Sequence, residues 1–320
     1  MKGQIKEIVF ARHELYSSPK TIHWGFFDAS LPPVLSVDSC DRITFHCVSG
    51  EPEDMPADLS WVLPELREIH IQCQRGLASH ILTGPVWVNR ARKGDTLEVK
   101  ILQCTLRQDW GWNLIKPLMG TLPEDFPQLR RLHISLDRKT MVAEPPWGGR
   151  LPLRPFFGVM GVAPPAAAGR VPSSPPGEHG GNLDNKDLVE GTTLYLPVWN
   201  EGALFSVGDG HAVQGDGEVC LTAIETALSG TFELILRKDL SLRFPMAETA
   251  THYITMGMAP DLDDAAKQAL REMISLLRRI AGMSVEDAYS LCSLAVELHV
   301  TQLVNGNKGI HAMMSKNIIS

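Results

Sequence analysis

The chain has 320 residues, about twice the ~150 of a typical domain, so it forms one large domain or two closely packed ones. Apolar residues make up 44% and charged residues 21%, proportions of globular proteins that exclude a wholly disordered chain. The 30 Lys and Arg against 37 Asp and Glu give a net charge of −7, which argues against binding to nucleic acids or to anionic membranes.

The N-terminal residues and the cysteines indicate where the protein works. Residues 1–7 lack the apolar core and cleavage site of a secretory signal, and no run of ~18 uncharged apolar residues could span a membrane. The six cysteines are scattered along the chain without a C-x-x-C pair, which disfavours a disulfide framework and a zinc ribbon. We therefore expect a cytoplasmic protein.

Alternating apolar and polar residues predict strands through the N-terminal half. Ile43, Phe45 and Cys47 share one face of residues 42–49, and residues 96–101 repeat the same period of two after a Lys-Gly-Asp turn. We predict an N-terminal β-rich domain over residues 1–143. Further strands are predicted at residues 192–198, 203–207, 219–224 and 231–236.

A segment rich in proline and glycine, residues 144–185, separates the two halves. It holds nine prolines and eight glycines, yet it also carries Trp147 and Phe156, apolar groups that a disordered linker would not expose. We predict an ordered loop that wraps over a site, because long loops within compact domains are usually functional. In this interpretation residues 144–320 form a catalytic β-rich region packed closely against the first domain.

Helical periodicity is clear only near the C-terminus. A capping box from Ser284 to Asp287 opens the last helix, and Gly282 ends the helix before it. The predicted fold class is therefore α+β and mostly β, with a sandwich-like or barrel-like body and a C-terminal helical pair. The apolar stripe of the first helix of this pair comprises Ala266, Leu270, Met273, Leu277 and Ile280.

The negative charge is concentrated in residues 182–225. This segment holds eight acidic residues and one base, Lys186, while apolar residues such as Leu194, Leu196 and Phe205 predict core strands. A solvated acidic face would explain the charge, but carboxylates within core strands need a partner because an unpaired buried charge is costly. One lysine cannot neutralise eight acids, so a bound cation is the stronger interpretation.

The sequence from Gly208 to Glu218 is the densest group of potential ligands. Asp209 and His211 are two residues apart, so in an extended segment both side chains point to one face and could hold one ion. Asp-Gly pairs also favour tight turns, so either Gly-Asp-Gly copy alone could be a turn and nothing more. The same spacing recurs downstream at Asp216 and Glu218 and upstream at Asn182 and Asp184.

Two histidines elsewhere are further candidates. His23, next to Trp24 in an aromatic-rich run, could line a pocket, although a histidine packed in the core is the commoner case. His80 precedes residues 82–85, Leu-Thr-Gly-Pro, a predicted turn that would direct the imidazole away from the end of a strand.

Other catalytic machinery is mostly missing from the sequence. The chain has no G-x-S-x-G elbow, Walker A motif or Rossmann fingerprint. A cysteine amidase stays open, because Cys220 lies two residues beyond Glu218 and Lys186 is in the adjoining motif. This set resembles nitrilase-type amidases in residue types only. A non-catalytic β-sandwich module that binds Ca²⁺ through the acidic residues also stays open.

An ordered series of motifs resembles the acetamidase/formamidase family over roughly residues 21–315. The chain departs from the family pattern at residues 39–41, Ser-Cys-Asp for Ser-Gly-Asp, and at residues 90–95, where the family has an acidic turn. The resemblance implies hydrolysis of formamide or acetamide to ammonia and a carboxylate, a β-rich fold, a homo-oligomer and a divalent ion. The matching segments are residues 23–25, 82–85, 94–99, 155–163, 180–184, 194–198, 201–205, 208–211, 214–218, 300–304 and 308–311.

The candidate residues together suggest how an amide would be cleaved. As a hypothesis, a divalent cation, Zn²⁺ with Ca²⁺ as the alternative, is held by Asp184, Asp209 and His211, where it activates water and polarises the carbonyl. Glu218 acts as the general base and returns the proton to the departing ammonia. The remaining candidates are expected to bind the amide or to shape a small dry pocket, and they are His80, Asn182, Trp24, His23 and the loop around Phe156.

Overall fold

The computed structural model describes residues 10–319, so the N-terminal stretch on which the secretory-signal prediction depends lies outside the described residues. Within these residues the chain builds two large β-sheets, one two-stranded sheet and three α-helices. The helices are α1 (Pro64–Gln72), α2 (Leu262–Ala281) and α3 (Val285–Ala295). The strands are β1 (Arg12–Tyr16), β2 (Ile22–Trp24), β3 (Phe26–Phe27), β4 (Leu35–Val37), β5 (Arg42–His46), β6 (Ile81–Val88), β7 (Thr96–Leu106), β8 (Trp110–Ile115), β9 (Arg130–Asp137), β10 (Val142–Glu144), β11 (Leu151–Pro152), β12 (Phe156–Gly161), β13 (Val171–Pro172), β14 (Gly180–Asn182), β15 (Thr193–Pro197), β16 (Phe205–Val213), β17 (Ile224–Thr226), β18 (Leu228–Arg237), β19 (Met246–Glu248), β20 (His252–Ala259), β21 (Val296–Gln302) and β22 (Lys308–Ser315).

The two large sheets are open. The nine-stranded sheet runs β1-β5-β18-β7-β15-β19-β20-β22-β21. The eleven-stranded sheet runs β11-β10-β9-β8-β17-β16-β12-β14, with β6 also paired to β16 and carrying β2 and β4. Within residues 10–319 neither order closes on itself, so the body is not a closed barrel. Both sheets combine strands from either side of residue 143, and a domain division at that point stays a prediction.

The main hydrophobic core lies between the two sheets. Phe45 and Phe232 come from the nine-stranded sheet, and Phe157 and Phe205 come from the eleven-stranded sheet. The Phe45 ring packs edge-on against Phe205 and Phe232, with centroids 5.9 and 5.7 Å apart. Full burial of each such ring stabilises the fold by roughly 1.5–3 kcal/mol, which favours face-to-face packing of the sheets.

The predicted C-terminal helical pair is confirmed. Asp261 caps α2 at its start, and Gly282 ends the helix with a φ of +65°, a conformation that favours glycine. The Ser284 hydroxyl accepts the Asp287 backbone N–H at 3.0 Å and caps α3, as the capping box predicts. The α2 helix packs on β20 and β22 through its buried face, which comprises Ala265, Ala269, Met273, Leu276 and Leu277. The predicted class, α+β and mostly β, is therefore confirmed.

Three local predictions differ from the structure. Residues 219–223 form a turn and β17 begins only at residue 224; there the side chain of Asn113 on β8 donates to the Thr222 and Ala223 carbonyls, which leaves them without a backbone partner from that strand. Residues 82–85 lie inside β6 and not in a turn, since pairing with β2 and β16 outweighs the Gly-Pro signal. The proline- and glycine-rich segment is ordered, but it contributes the buried strands β12 and β14 and is more than a loop.

No helix within residues 10–319 combines the length and the apolar character that crossing a membrane requires.

Candidate active site

The candidate site is built around the Gly-Asp-Gly-His sequence of β16. Asp209 and His211 lie two residues apart on this strand, and the Asp209 Oδ2 atom is 3.2 Å from the His211 Nε2 atom, as the spacing predicts. The neighbouring strand β12 approaches closely at Gly158. A Cβ atom there would lie 2.4 Å from Asp184 Oδ1 and 2.5 Å from Asp209 Oδ2, so only glycine leaves room for both carboxylates.

Three carboxylates surround the His211 imidazole. The Nε2 atom is 3.2 Å from Asp209 Oδ2, 3.2 Å from Glu225 Oε2 and 3.8 Å from Asp184 Oδ1. Glu218 completes a second group, in which one ligand atom each from Asp184, His211 and Glu218 lie within 4.8 Å of one another. All five side chains are buried, so the cluster places carboxylates from four segments of the chain around one imidazole.

The backbone is strained at three of these carboxylates. Asp184, Asp209 and Glu218 have φ values of +44°, +59° and +45°, in the left-handed region that residues other than glycine rarely adopt. Such conformations persist only where the surrounding structure holds them, and they cluster at functional sites. Three of the four carboxylates in the buried cluster are therefore also sites of backbone strain.

In the described structure the carboxylates of the cluster face two imidazoles, His211 and His80. Among the described residues, no lysine or arginine forms an ion pair with any of these carboxylates. Burial, reinforced by the Asp209 charge, raises the pKa of Glu225 to about 8, and burial beside Asp184 raises the pKa of Glu218 well above its usual range. Burial would lower the pKa of His211, but the Glu225 and Asp209 charges outweigh it and raise that pKa.

Gln214 determines how His211 presents its ring. The Gln214 Nε2 atom donates to the Asp184 carbonyl oxygen at 2.8 Å, so its Oε1 atom is the acceptor for His211 Nδ1 at 2.9 Å. His211 therefore carries a proton on Nδ1 and directs Nε2 at the carboxylates. A histidine that ligates a metal is usually held in this way by a hydrogen bond from its other nitrogen.

The cluster opens into a cavity of about 360 Å³. His80 lines the cavity with its Nε2 atom 3.9 Å from Asp209 Oδ2, and its Nδ1 atom lies 2.8 Å from the Ser173 hydroxyl. Asn182 also lines the cavity. Its Nδ2 atom donates to the Ser174 carbonyl at 3.0 Å, while its buried Oδ1 atom has no hydrogen-bond partner within the described structure. Six predicted site residues therefore meet here, namely His80, Asn182, Asp184, Asp209, His211 and Glu218.

The structure does not bring His23 and Trp24 into this group. His23 Nδ1 donates to the Phe26 carbonyl and His23 Nε2 accepts the Ser206 hydroxyl at 2.8 Å, and burial lowers the pKa of His23 to about 4. Trp24 Nε1 donates to the Ser79 carbonyl at 2.8 Å. Both side chains are packed in the interior, and neither is among the described residues that line the cavity.

Sequence reasoning assigned no role to several residues that the structure adds. Glu225 lies opposite His211 in the antiparallel β16–β17 pair, a register that the acid-rich sequence could have indicated. The Asn305 side-chain amide donates to the Asp184 carboxylate, and it reaches the site from the turn between β21 and β22. That contact spans 121 residues of sequence and carries no local signal.

A second His–Asp cluster has a different charge balance. Asp216, His299 and His311 each offer a ligand atom within 4.8 Å of the others. However, Lys186 Nζ already lies 2.8 Å from Asp216 Oδ1, and the His311 ring stacks on His299 with centroids 5.0 Å apart. The Lys186 ammonium therefore pairs with the carboxylate of this cluster, whereas no lysine or arginine among the described residues pairs with the cluster around His211.

Cys220 lies apart from the chemistry of the cavity. Its Sγ atom is 3.2 Å from Asn113 Nδ2, and Cys220 is not among the described residues that line the cavity, although Glu218 and Leu221 on either side are.

Comparisons with known proteins identify relatives of this chain in sequence and in overall fold. The model of the Acetamidase/Formamidase family matches residues 27–170 and 166–315. The structure of an acetamidase from Bacillus halodurans is similar, with a TM-score of 0.83 and 31% identity, over 95% of this chain and 98% of that chain. A predicted acetamidase/formamidase from Thermoanaerobacter tengcongensis has a TM-score of 0.85 and 27% identity, over 97% of each chain. A formamidase from Methylophilus methylotrophus is 27% identical over 299 residues, covering 71% of this chain and 73% of that protein. The chain therefore belongs to the acetamidase/formamidase family.

Proposed function

We propose that this protein hydrolyses the C–N bond of small primary amides, formamide and acetamide among them, to ammonia and a carboxylate. The observation that carries the proposal is the buried cluster of carboxylates and imidazole, without a lysine or arginine partner among the described residues, that lines a cavity in a chain of the acetamidase/formamidase family. Perturbed ionisable groups of this kind in a cleft are typical of catalytic sites.

The cluster fits a divalent cation. Asp184 Oδ1 and Glu218 Oε2 are buried without hydrogen-bond partners in the described structure, and such atoms are costly unless something binds them. We propose that Asp184, Asp209 and His211 hold the ion, with Glu225 beside them. An imidazole nitrogen among carboxylates suits Zn²⁺ better than Ca²⁺, which prefers oxygen ligands alone. When bound, such an ion supplies Lewis-acid polarisation of the carbonyl and a water of lowered pKa.

Glu218 is proposed as the general base. Burial and then the Asp184 charge raise the pKa of Glu218, and a carboxylate of raised pKa is a stronger base towards water. In this role it would take a proton from water and return it to the departing nitrogen. Its unpartnered Oε2 atom is available to accept that proton. A positioned base of this kind contributes about 10²–10⁴-fold to the rate.

Asn182 and His80 are proposed to orient the amide. The Ser174 contact holds the Asn182 side chain with Oδ1 as the free acceptor, so this atom can receive an N–H of the substrate amide. His80 lines the same cavity with Nε2 3.9 Å from Asp209 Oδ2, and in our proposal it donates Nε2–H to the substrate carbonyl. Together they would fix which end of the amide faces the base.

We further propose a homo-oligomer that works in the cytoplasm. The family resemblance supports the oligomer, and the six cysteines, all free thiols, support a reducing compartment.

The test of the function is ammonia release from formamide, acetamide and propionamide by wild type, His211→Ala and a matched control, His252→Ala. His252 lies on β20, away from the cavity lining. We expect His211→Ala to lose at least about 10²-fold in kcat/KM, since it removes the residue at the centre of the cluster, while His252→Ala keeps its activity. Equal activity of the two variants would remove His211 from the mechanism, and no release from any amide by the wild type would overturn the function.

A further inference from the structure

We propose that the cavity favours primary amides whose acyl group carries an apolar chain of about four to six carbons, over formamide and acetamide. This inference deepens the proposed function and rests on it. It concerns the part of the cavity that the acid cluster does not occupy.

The cavity is larger than the smallest amides need. Its volume of about 360 Å³ corresponds to roughly a dozen water molecules at ~30 Å³ each in the liquid. Formamide, the smallest carboxamide, would fill only a small part of this volume next to the acids. The remaining space would stay hydrated or would hold the rest of a longer substrate.

Beyond the acid cluster, five apolar side chains line the cavity, with Glu51, Asp54, Lys116 and Thr222 as polar neighbours. Trp112 and Leu114 are two residues apart on β8, so both side chains point to the same face of that strand. Trp112 pairs directly with Glu225, so this face begins next to the carboxylates. The other apolar residues that line the cavity come from nearby turns and loops, and they are Met119, Leu221 and Val304.

The apolar side is held in place by pairing between two segments. The backbone N–H of Thr121 donates to the Val219 carbonyl at 2.9 Å, which joins the turn that carries Met119 to the loop that carries Leu221. The Leu114 backbone N–H donates to the Thr222 hydroxyl at 2.9 Å and ties the same loop to β8. An acyl chain that leaves the carbonyl at Glu225 would therefore run along a fixed apolar surface towards Met119.

The geometry predicts a dependence on chain length. Each methylene that leaves water for this surface should raise kcat/KM about fourfold, until the surface is covered. Formamide and acetamide would stay substrates, since the cluster acts on the amide itself, but they would leave the apolar side unused.

The experiment measures kcat/KM for formamide, acetamide, propionamide, butyramide and hexanamide on the Zn²⁺-loaded protein. Met119→Ala is the test variant, and Leu118→Ala is its control. Leu118 is in the same turn but is 90% exposed and outside the cavity lining, and Met119 is itself 40% exposed, so neither change should prevent folding. We expect kcat/KM to rise about fourfold per methylene, and the ratio of hexanamide to formamide to fall severalfold in Met119→Ala only.

The outcomes separate the two proposals. Ammonia release that is flat or falls beyond acetamide would overturn the chain-length preference and leave the amidase function standing. The same ratio in both variants would overturn the assignment of this surface. No release from any amide would overturn the amidase function, and the present inference with it.

Discussion

Replacing Glu225 by glutamine is expected to stabilise the metal-free protein at neutral pH. Glu225 is buried, its Oε2 atom lies 3.2 Å from His211 Nε2, and its Oε1 atom accepts the Ala223 backbone N–H at 2.9 Å. Glutamine keeps the acceptor for Ala223 and removes the ionisable group. The variant therefore isolates the free energy of holding this carboxyl group inside the protein.

The magnitude follows from the pKa of Glu225, which burial and then the Asp209 charge raise from 4.5 to about 8. Because the folded state binds this proton more tightly than the unfolded state, the free energy of unfolding falls as pH rises from about 4.5 to about 8. At 1.36 kcal/mol per pKa unit, the loss at pH 7 is roughly 3 kcal/mol. Near pH 4.5 it is less than about 0.5 kcal/mol, because the carboxyl group of the unfolded state is then itself about half protonated.

The assay is urea denaturation of wild type and Glu225→Gln at pH 4.5 and pH 7 in the presence of a chelator, with exposed Glu297→Gln as the control. The variant should gain roughly 3 kcal/mol at pH 7 and little at pH 4.5, and Zn²⁺ should stabilise the wild type more than the variant. A variant that is no more stable than the wild type at pH 7 would refute the reasoning, as would equal gains at both pH values.

Three further expectations follow from the same geometry. Gly158→Ala should lower kcat at least tenfold, because its Cβ would displace two carboxylates, whereas Gly215→Ala, which meets nothing within 4 Å, should keep ammonia release near the wild-type rate. Dialysis against a chelator should abolish ammonia release, and Zn²⁺ should restore it. N-ethylmaleimide, which alkylates accessible thiols, should spare the activity even if it reaches the half-buried Cys220. The reverse pattern would favour a cysteine nucleophile. Burial lowers the pKa of His23 to about 4, so the unfolded state binds this proton more readily than the folded state. Between pH 6.5 and pH 4 the free energy of unfolding should therefore fall by about 3 kcal/mol more in wild type than in His23→Gln, as measured by urea denaturation.

Local sequence patterns predicted the parts of the site that depend on local geometry. The two-residue spacing of Asp209 and His211 holds within β16, and the excess of acids over bases in residues 182–225 corresponds to carboxylates without a basic partner. The capping residue Ser284 marks the start of α3 for the same reason, since a cap acts within one turn of the chain. The catalytic and ligand roles of the residues in the His211 cluster stay predictions.

The parts that could not be predicted depend on contacts between distant segments. Asn305 meets Asp184 only because the turn between β21 and β22 lies over the cavity, and no spacing within either segment encodes that contact. His23 shows why a local pattern can be ambiguous, because its aromatic neighbours are equally compatible with a pocket wall and with a packed interior. In the structure, pairing of β2 with β6 places this side chain in the interior. A Gly-Pro pair at residues 84 and 85 indicates a turn locally, yet it lies within β6, at the point where the pairing with β16 shifts register between Phe205 and Val207.

The contrast between the two His–Asp clusters explains why only one of them is a candidate for a cation. Both place carboxylate against imidazole, and the second cluster joins Asp216 of the acid-rich segment to His299 on β21 and His311 on β22. Lys186 Nζ lies 2.8 Å from Asp216 Oδ1, so in the second cluster a side chain of the protein already balances the charge of this carboxylate. The cluster around His211 has no such partner among the described residues, and burial raises the pKa of Glu218 and Glu225 instead. These buried carboxyl groups destabilise the metal-free protein, and a bound divalent ion would remove that cost. The residues that lower the stability of the metal-free protein are therefore the ones that would give the metal its affinity.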